Sequence, residues 1–389
     1  MSWIDGYVFD LPEEAKLSQQ AARTFAENEV RPLAEKVDQQ HYFPQELIPK
    51  LGQNGFLGVC VPEQYGGSGL GQIAYCLIIE ELAAACASTS VIVSAHNSLC
   101  IAPIVMHGSE EQKRKYLPDL AGGKKLGCFA LSEPGTGSDA ASLTCTVKKA
   151  GDGYVINGTK NWITNGPVAG VCVLFAKQDP AKGHKGVTAI VHPMDLPGIG
   201  VGKKENKLGI CGSPTSSVTY EDVKVGAEHI LGGELNGFKV AMSTLNGGRT
   251  GIAAQAVGIA RAALRDALSY SLQRKTFGKA ICEHQTIQNY LADMVTQIDA
   301  ARYLTLSAAQ LKDQGKNFVR QAAMAKLFAS EVAMRSALTG VQIHGGYGYV
   351  KDFPAERHMR DAKITEIYEG TSEIQRMVIA SALVKEVQG

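Results

Sequence analysis

The spacing of apolar positions changes character twice along the 389-residue chain. From about Leu11 to Leu120, apolar residues recur at helical intervals among Ala, Glu, Lys and Gln, which predicts a helical region. Residues 13–37 have this pattern most clearly, with Pro32 placed to kink or divide the helix. The loop Gly66-Gly67-Ser68-Gly69 precedes a second predicted helix over 72–87, and 90–106 reads as a buried helix carrying small residues. The charged run 110–115 reads as a solvated helical face. From about Gly127 the pattern becomes short β-branched runs (147–149, 153–159, 171–176, 186–192 and 217–223) separated by Gly, Asn and Asp. Asn157-Gly158 and Asn165-Gly166 are tight-turn signals. The absence of βαβ alternation argues against a doubly wound dinucleotide-binding sheet. After Gly232-Gly233 the helical period returns over 241–272, 285–314 and 318–340, the signature of an antiparallel bundle. The expected fold class is α+β: a helical domain over 1–122, a β-barrel or sandwich-like domain over 123–233, and a four-helix bundle over 234–389.

Composition narrows the function classes. Hydrophobic content of 45% with 20% charged residues is ordinary for a globular protein, and a formal net charge of +1 argues against nucleic-acid or membrane-surface binding by bulk charge. No run is read as long enough to span a membrane, and Met1 to Asp5 lack a secretory pattern. Nine cysteines without a C-x-x-C pair point to reduced, mostly buried thiols, hence a reducing compartment and no metal site. The expected setting is a bacterial cytoplasm, or a mitochondrial matrix after removal of a presequence.

Several stretches combine reactive or ligand-holding residues. In Ile367-Tyr368-Glu369-Gly370-Thr371-Ser372-Glu373-Ile374-Gln375, a carboxylate stands just ahead of a helix start, and Ser372 with Gln375 has capping-box spacing. On spacing alone Glu369 is either a reactive carboxylate or an acid stabilising a helix N-terminus. In Phe129-Ala130-Leu131-Ser132-Glu133-Pro134-Gly135-Thr136-Gly137-Ser138-Asp139, Pro and Gly leave N–H and hydroxyl groups free for a planar polar ring, or simply make a turn. Trp162 and Thr164 share one side of a predicted strand and suit either a flat ring or the core. Arg274-Lys275-Thr276-Phe277-Gly278-Lys279 reads as a diphosphate clamp or a basic helix end. Gln342-Ile343-His344-Gly345-Gly346-Tyr347-Gly348 allows close backbone approach, with His344 read as a packing residue.

The Glu-Gly-Thr loop resembles the catalytic loop of the flavin-dependent acyl-CoA dehydrogenases, most closely the short-chain (butyryl-CoA) branch, and the helix–β–helix order extends the resemblance over the whole chain. The resemblance implies FAD as cofactor and Glu369 as the base that removes the α-proton of an acyl-CoA, with hydride passing to the flavin. It places Phe129, Leu131, Ser132, Thr136, Gly137, Ser138, Trp162, Ile163, Thr164, Thr371 and Glu373 at the flavin, and Gln342, Ile343, Gly345 and Gly346 at its adenine end. Arg274, Thr276, Phe277 and Gln285 are implied to reach the flavin diphosphate of a neighbouring subunit in a homotetramer, a dimer of dimers. Ser138, Asn246, Arg249 and Gly370 are implied to meet substrate. The isovaleryl-type branch carries its base at the position held here by Gly248, which leaves Glu369 as the expected base.

Residues 90–99 resemble the pocket floor of short-chain enzymes, and Ser90 stands where the glutaryl-type branch has an Arg. The implied reaction yields trans-2-enoyl-CoA and passes electrons to an electron-transferring flavoprotein. A branched, cyclic or aromatic substrate, an enoyl-CoA reductase, an acyl-CoA oxidase and a non-catalytic acyl-CoA-binding protein are the alternatives.

Overall fold

The computed structural model describes residues 11–388; Met1 to Asp5, read above for their lack of a leader pattern, lie outside the described residues. The N-terminal helices are α1 (Glu13–Phe25), α2 (Ala34–Gln39), α3 (Leu47–Gln53), α4 (Gln72–Ala85), α5 (Ala87–Ala95), α6 (Ala102–His107) and α7 (Glu110–Ala121). Pro32 sits in the tight turn Arg31–Leu33 that separates α1 from α2, where a missing N–H is tolerated. A capping box starts α7: Gln112 N–H donates to Ser109 Oγ at 3.1 Å, and Ser109 N–H donates to Gln112 Oε1 at 3.0 Å.

One expectation needs correction. The segment Ala87–His107 runs as a nearly continuous helix of 21 residues, long and apolar enough by composition to cross a membrane. Most of it is buried against protein, so its apolar character reflects a core position.

Eight strands follow: β1 (Leu126–Ala130), β2 (Thr146–Ala150), β3 (Gly153–Thr164), β4 (Ala169–Lys177), β5 (Val187–Pro193), β6 (Ile199–Val201), β7 (Thr215–Gly226) and β8 (Ile230–Leu231). They form one sheet in the order β6-β7-β3-β2-β4-β5-β8. One edge of β4 is shared, because β1 pairs with it in parallel over most of its length while β2 meets it at Thr146–Lys177. The sheet splays there. Val171, Val173 and Phe175 face a core shared with Ile104 and Leu117, whereas Cys172, Leu174 and Ala176 face a core with Ile156 and Val218.

Asn165-Gly166 does form the β3–β4 turn, with Asn165 left-handed (φ +65°). Asn157-Gly158 does not turn the chain. It lies inside β3 at a register shift against β7, and the β2–β3 turn is at Gly151 instead. A Cβ on Gly158 would stand 2.6 Å from Cys145 Cα, so close packing at a bulge, not a hairpin, requires this glycine.

The C-terminal helices are α8 (Gly237–Gln273), α9 (Gln285–Asp313), α10 (Val319–His344), α11 (Ala355–Lys363) and α12 (Ser372–Gln388), with the short hairpin β9 (Lys275–Thr276) and β10 (Lys279–Ala280) after α8. Alanine-rich faces let α8, α9 and α10 pack closely, and α12 lies on α10.

The N-terminal α4 is inserted beside α8 and α9, buried along its whole length. Asp313, at the end of α9, caps it from outside by accepting from Gln72 N–H (2.6 Å) and Ile73 N–H (3.0 Å). Four buried charges lock the junction. Arg302 meets Glu80 at 2.8 Å, Arg261 bonds both Glu80 and Glu81, and Arg23 and Gln19 also reach Glu81, at 3.0 and 2.8 Å. The β region is tied in by Asn165 Nδ2, which donates to Ile92 O at 3.1 Å, and by Asp361, which accepts from Ile210 N–H at 2.5 Å.

Candidate active site

The stretch between α11 and α12 carries the candidate base. Glu369 has a left-handed backbone (φ +56°), unusual for a residue with a Cβ and worth about 1–3 kcal/mol of strain, and Gly370 follows at φ +88°. Side chains hold the stretch in place. Gln375 Nε2 donates to Glu369 O (3.0 Å) and Gly370 O (2.9 Å), and Lys326 Nζ donates to Gly370 O at 2.7 Å. Tyr368 O–H donates to Gln255 Oε1.

The capping box expected at Ser372 is not formed. Thr371 Oγ1 accepts from Ile374 N–H at 3.3 Å, and Ser372 is the first residue inside α12. Gln375 is turned back because the two loop carbonyls, outside any helix, need donors more than the helix start does.

Glu369 as a residue is half-buried, but its Oε1 is enclosed and has no hydrogen-bond partner. The carboxylate rests on α8 at Gly248, where a Cβ would stand 2.8 Å from Glu369 Cδ and overlap Oε1. Leu99 borders the same point. Arg249, one residue on, is buried; its Nη1 donates to Asn246 Oδ1 at 2.6 Å and its Nε has no partner. Burial pushes the Glu369 carboxyl up to about 7, against the opposing charges of Arg249 and Lys326. Among the described residues neither cation reaches ion-pair distance of it, so the carboxylate is close to positive charge yet free to accept a proton.

A second group of predicted residues gathers at the mouth of the β region. Phe129, one residue from the end of β1, has its ring 4.8 Å from Phe175. Leu131 and Ser132 open that loop, and Glu133 and Thr136 close it with two backbone bonds of 2.9 and 3.1 Å. Thr136 Oγ1 is buried and unpartnered, while Gly137 and Ser138 are exposed.

On β3, Trp162 occupies a bulge at φ +60° with 60% of its surface exposed, and Thr164 lies two residues on; Ile163 points into the core, so only its backbone faces the mouth. The loop and the bulge are joined by Asn161 N–H donating to Ser132 O at 2.9 Å. Lys160, fully buried, donates to Leu131 O (3.0 Å) and to Glu133 (2.8 Å). An exposed indole on the bulge and an orphaned buried hydroxyl on the loop bonded to it fit a planar, hydrogen-bonding ring such as the flavin of FAD.

A third group lies elsewhere. Phe277 tips the β9–β10 hairpin at 97% exposure, Arg274 and Thr276 flank it, and Gln285 starts α9 on the surface. Arg274 faces the Tyr347 ring at 5.9 Å, beside Gly345 and Gly346. Gln342 is exposed there, whereas the Ile343 side chain belongs to the helical core. His344 is a packing residue, stacked on Tyr270 at 4.4 Å. Arg274 follows the last turn of α8, 25 residues beyond Arg249, about 37 Å along the helix axis. Within one chain the structure therefore does not bring this group to Glu369. Thr371 is half-buried and Glu373 exposed at the start of α12.

Lys326, Gln255 and Lys160 were not singled out from the sequence. Lys326 and Gln255 are polar residues among alanines on their helices, and that mismatch was the available signal; Lys160, between Thr159 and Asn161, carried none.

The three segments match known domain models: acyl-CoA dehydrogenase N-terminal domain over residues 12–124, middle domain over 128–223, and C-terminal domain over 236–384. The short-chain specific acyl-CoA dehydrogenase of Homo sapiens mitochondria is 50% identical over 97% of this chain and 91% of its own length. The structure of butyryl-CoA dehydrogenase from Megasphaera elsdenii superposes with a TM-score of 0.95 at 46% identity, covering 97% of this chain and all of that one. A chain from a structural study of the electron transferring flavoprotein of Acidaminococcus fermentans gives 0.95 at 47% identity, covering 97% and 99%. A carboxylate left unpaired against a glycine, a three-part architecture and half of all residues shared with one such enzyme lead to one conclusion: the chain belongs to the acyl-CoA dehydrogenase family.

Proposed function

We propose that the protein is a FAD-dependent short-chain acyl-CoA dehydrogenase that forms trans-2-enoyl-CoA, with Glu369 as the base. The observation that carries the reading is the enclosed, unpartnered Glu369 Oε1 with its carboxyl raised to about 7. An ordinary carboxylate is too weak a base for a thioester α-proton, and raising its pKa toward neutrality narrows the gap while leaving a large fraction ionised near pH 7. Burial supplies the rise; Arg249 and Lys326 limit it. Among the described residues nothing accepts from the Glu369 N–H, which leaves it available to a thioester oxygen, where a donor stabilises developing enolate charge. When bound, FAD supplies the acceptor for the hydride that leaves the β-carbon.

The short acyl preference has its support in the floor beneath Glu369. Tyr368 is tied to Gln255, whose Nε2 donates to Ala87 O at 3.0 Å, and Tyr75 with Ser94 closes on Gly251, where a Cβ would meet the Tyr75 hydroxyl at 2.5 Å. Ser90 is buried with its hydroxyl given to Ile79 O at 3.1 Å, which leaves no cation for a distal carboxylate. In this reading the subunits form a homotetramer, so that Arg274, Thr276, Phe277 and Gln285 serve a neighbour's cofactor. The electron acceptor is an electron-transferring flavoprotein, and the compartment is a bacterial cytoplasm or a mitochondrial matrix.

The test is anaerobic bleaching of the flavin band near ~450 nm with acyl-CoAs from butyryl to palmitoyl, plus isobutyryl, glutaryl and cyclic esters. Fastest bleaching with butyryl- or hexanoyl-CoA supports the assignment. Bleaching only by a branched or cyclic ester would move the substrate and keep the chemistry.

A further inference from the structure

Lys326 is a lysine where the helix pattern calls for a small apolar residue. It stands on α10 among Ala322, Ala323, Ala325 and Ala329, all buried, and is itself fully enclosed. A buried ammonium is expensive unless it is paired. Yet its Nζ goes to a main-chain carbonyl, Gly370 O at 2.7 Å, and among the described residues no carboxylate comes within ion-pair distance. The contrast with Lys160, equally buried but bonded to Glu133, shows that this fold can provide a carboxylate partner and does not do so here.

The carbonyl that Lys326 holds belongs to the residue after Glu369, in a loop with two consecutive left-handed residues. The charged groups facing the pair come from every neighbouring element: Arg249 from α8, Glu366 from the turn after α11, and Glu373 from the first turn of α12. Tyr368 faces Glu369 from its own strand of chain. After burial, the charge of Glu369 acts most strongly on Lys326.

We propose that Lys326 is a positioning residue for the reaction: it fixes the loop through Gly370 O, and its ammonium sets the pH above which Glu369 is ionised and able to act. This rests on the reading of Glu369 as the base. The sign follows from the charges. Burial lowers Lys326 to about 8, so it is mostly protonated at neutral pH and favours the ionised carboxylate; removing its charge leaves only Arg249 to oppose burial, and the Glu369 titration moves upward.

Two variants separate the parts. Lys326→Gln keeps a donor for Gly370 O and removes the charge; Lys326→Met removes both. The readouts are infrared titration of the Glu369 carboxyl in resting FAD-loaded enzyme, identified by the band that Glu369→Gln deletes, and the pH profile of anaerobic flavin reduction by butyryl-CoA. Both variants are expected to move the carboxyl midpoint and the acid limb upward by about one to two pH units. Lys326→Gln is expected to keep its limiting rate within a few-fold, and Lys326→Met to lose about tenfold more through the loosened loop. Carboxyl midpoints equal to wild type in both variants overturn the proposal. Full flavin reduction by Glu369→Gln overturns the base assignment instead, whatever the Lys326 variants do.

Discussion

Two enclosed carboxylates meet α8 at different points, Glu81 at Arg261 and Glu369 at Gly248, and they are treated in opposite ways. Glu81, wedged between α1, α4 and α8, suffers burial, yet the Arg261 charge and bonds from Arg23 and Gln19 hold its carboxyl at about 2. Glu369 suffers burial with no partner on Oε1 and rises to about 7. Desolvation raises both; partners decide the outcome. The paired site fixes three helices in one arrangement and has no proton to exchange near neutrality. The unpaired one is poised to exchange a proton and stabilises nothing.

The comparison breaks most sharply at Glu369→Gln, which removes the proposed base and little else. Flavin reduction by butyryl-CoA should fall by about 10³–10⁴-fold with the flavin still bound and the unfolding midpoint nearly unchanged. Stopped-flow absorbance and a thermal melt check both halves.

Arg261→Met acts at the other site and should do the reverse. Leaving Glu80 and Glu81 short of a partner is expected to destabilise the fold by about 3–5 kcal/mol, read as a lower denaturant midpoint, while folded enzyme still reduces its flavin. Loss of activity without loss of stability would mean that the ion cluster reaches the chemistry.

Gly248→Ala should lower the limiting reduction rate by about 10²-fold, because the new methyl group takes the space of the carboxylate oxygen. A variant at wild-type rate would show that Glu369 reacts from another position.

The smallest effect needs no variant. Below about pH 7 the reduction rate should drop about tenfold per pH unit as Glu369 gains its proton. Glu81 has a depressed carboxyl, so its contribution to stability is present above the ordinary carboxylate range and is lost only as pH falls toward about 2. Between pH 5 and 7 activity should therefore collapse while the fold, by circular dichroism, does not.

What the sequence made legible was whatever depends on local spacing. The Pro32 break and the helix–β–helix order were readable because periodicity and proline act over a few residues. The roles of the Glu-Gly-Thr loop and of Gly248 came instead from the family resemblance, since on spacing alone Glu369 was also readable as an acid at a helix start. Lys326 and Lys160 were not, because a lysine in an alanine-rich helix or on a strand looks like a solvated residue until tertiary packing covers it. Asn157-Gly158 misled for a related reason: the glycine answers to Cys145, just ahead of the adjacent strand β2, a tertiary demand that imitates a turn signal. Ser372 and Gln375 had the right spacing for a cap, but the strained carbonyls of Glu369 and Gly370 competed for the amide and won. The stretch 90–106 was rightly read as a buried helix, but its full run of 87–107 was underestimated, since a core that encloses a helix on all sides demands the same residues as a bilayer.

The overlap between the Glu369 carboxylate and the space above Gly248 has a consequence for how such enzymes diversify. Two segments more than 100 residues apart converge on one point, so a carboxylate delivered from either would occupy the same space. The invariant is a location, not a column in an alignment. A lineage could transfer its base from the loop to the helix in two substitutions, Gly248→Glu and Glu369→Gly, with the reacting geometry nearly preserved and the left-handed strain relieved along the way. A catalogue that identifies these enzymes by an acid at one fixed position would mistake such a descendant for a dead copy.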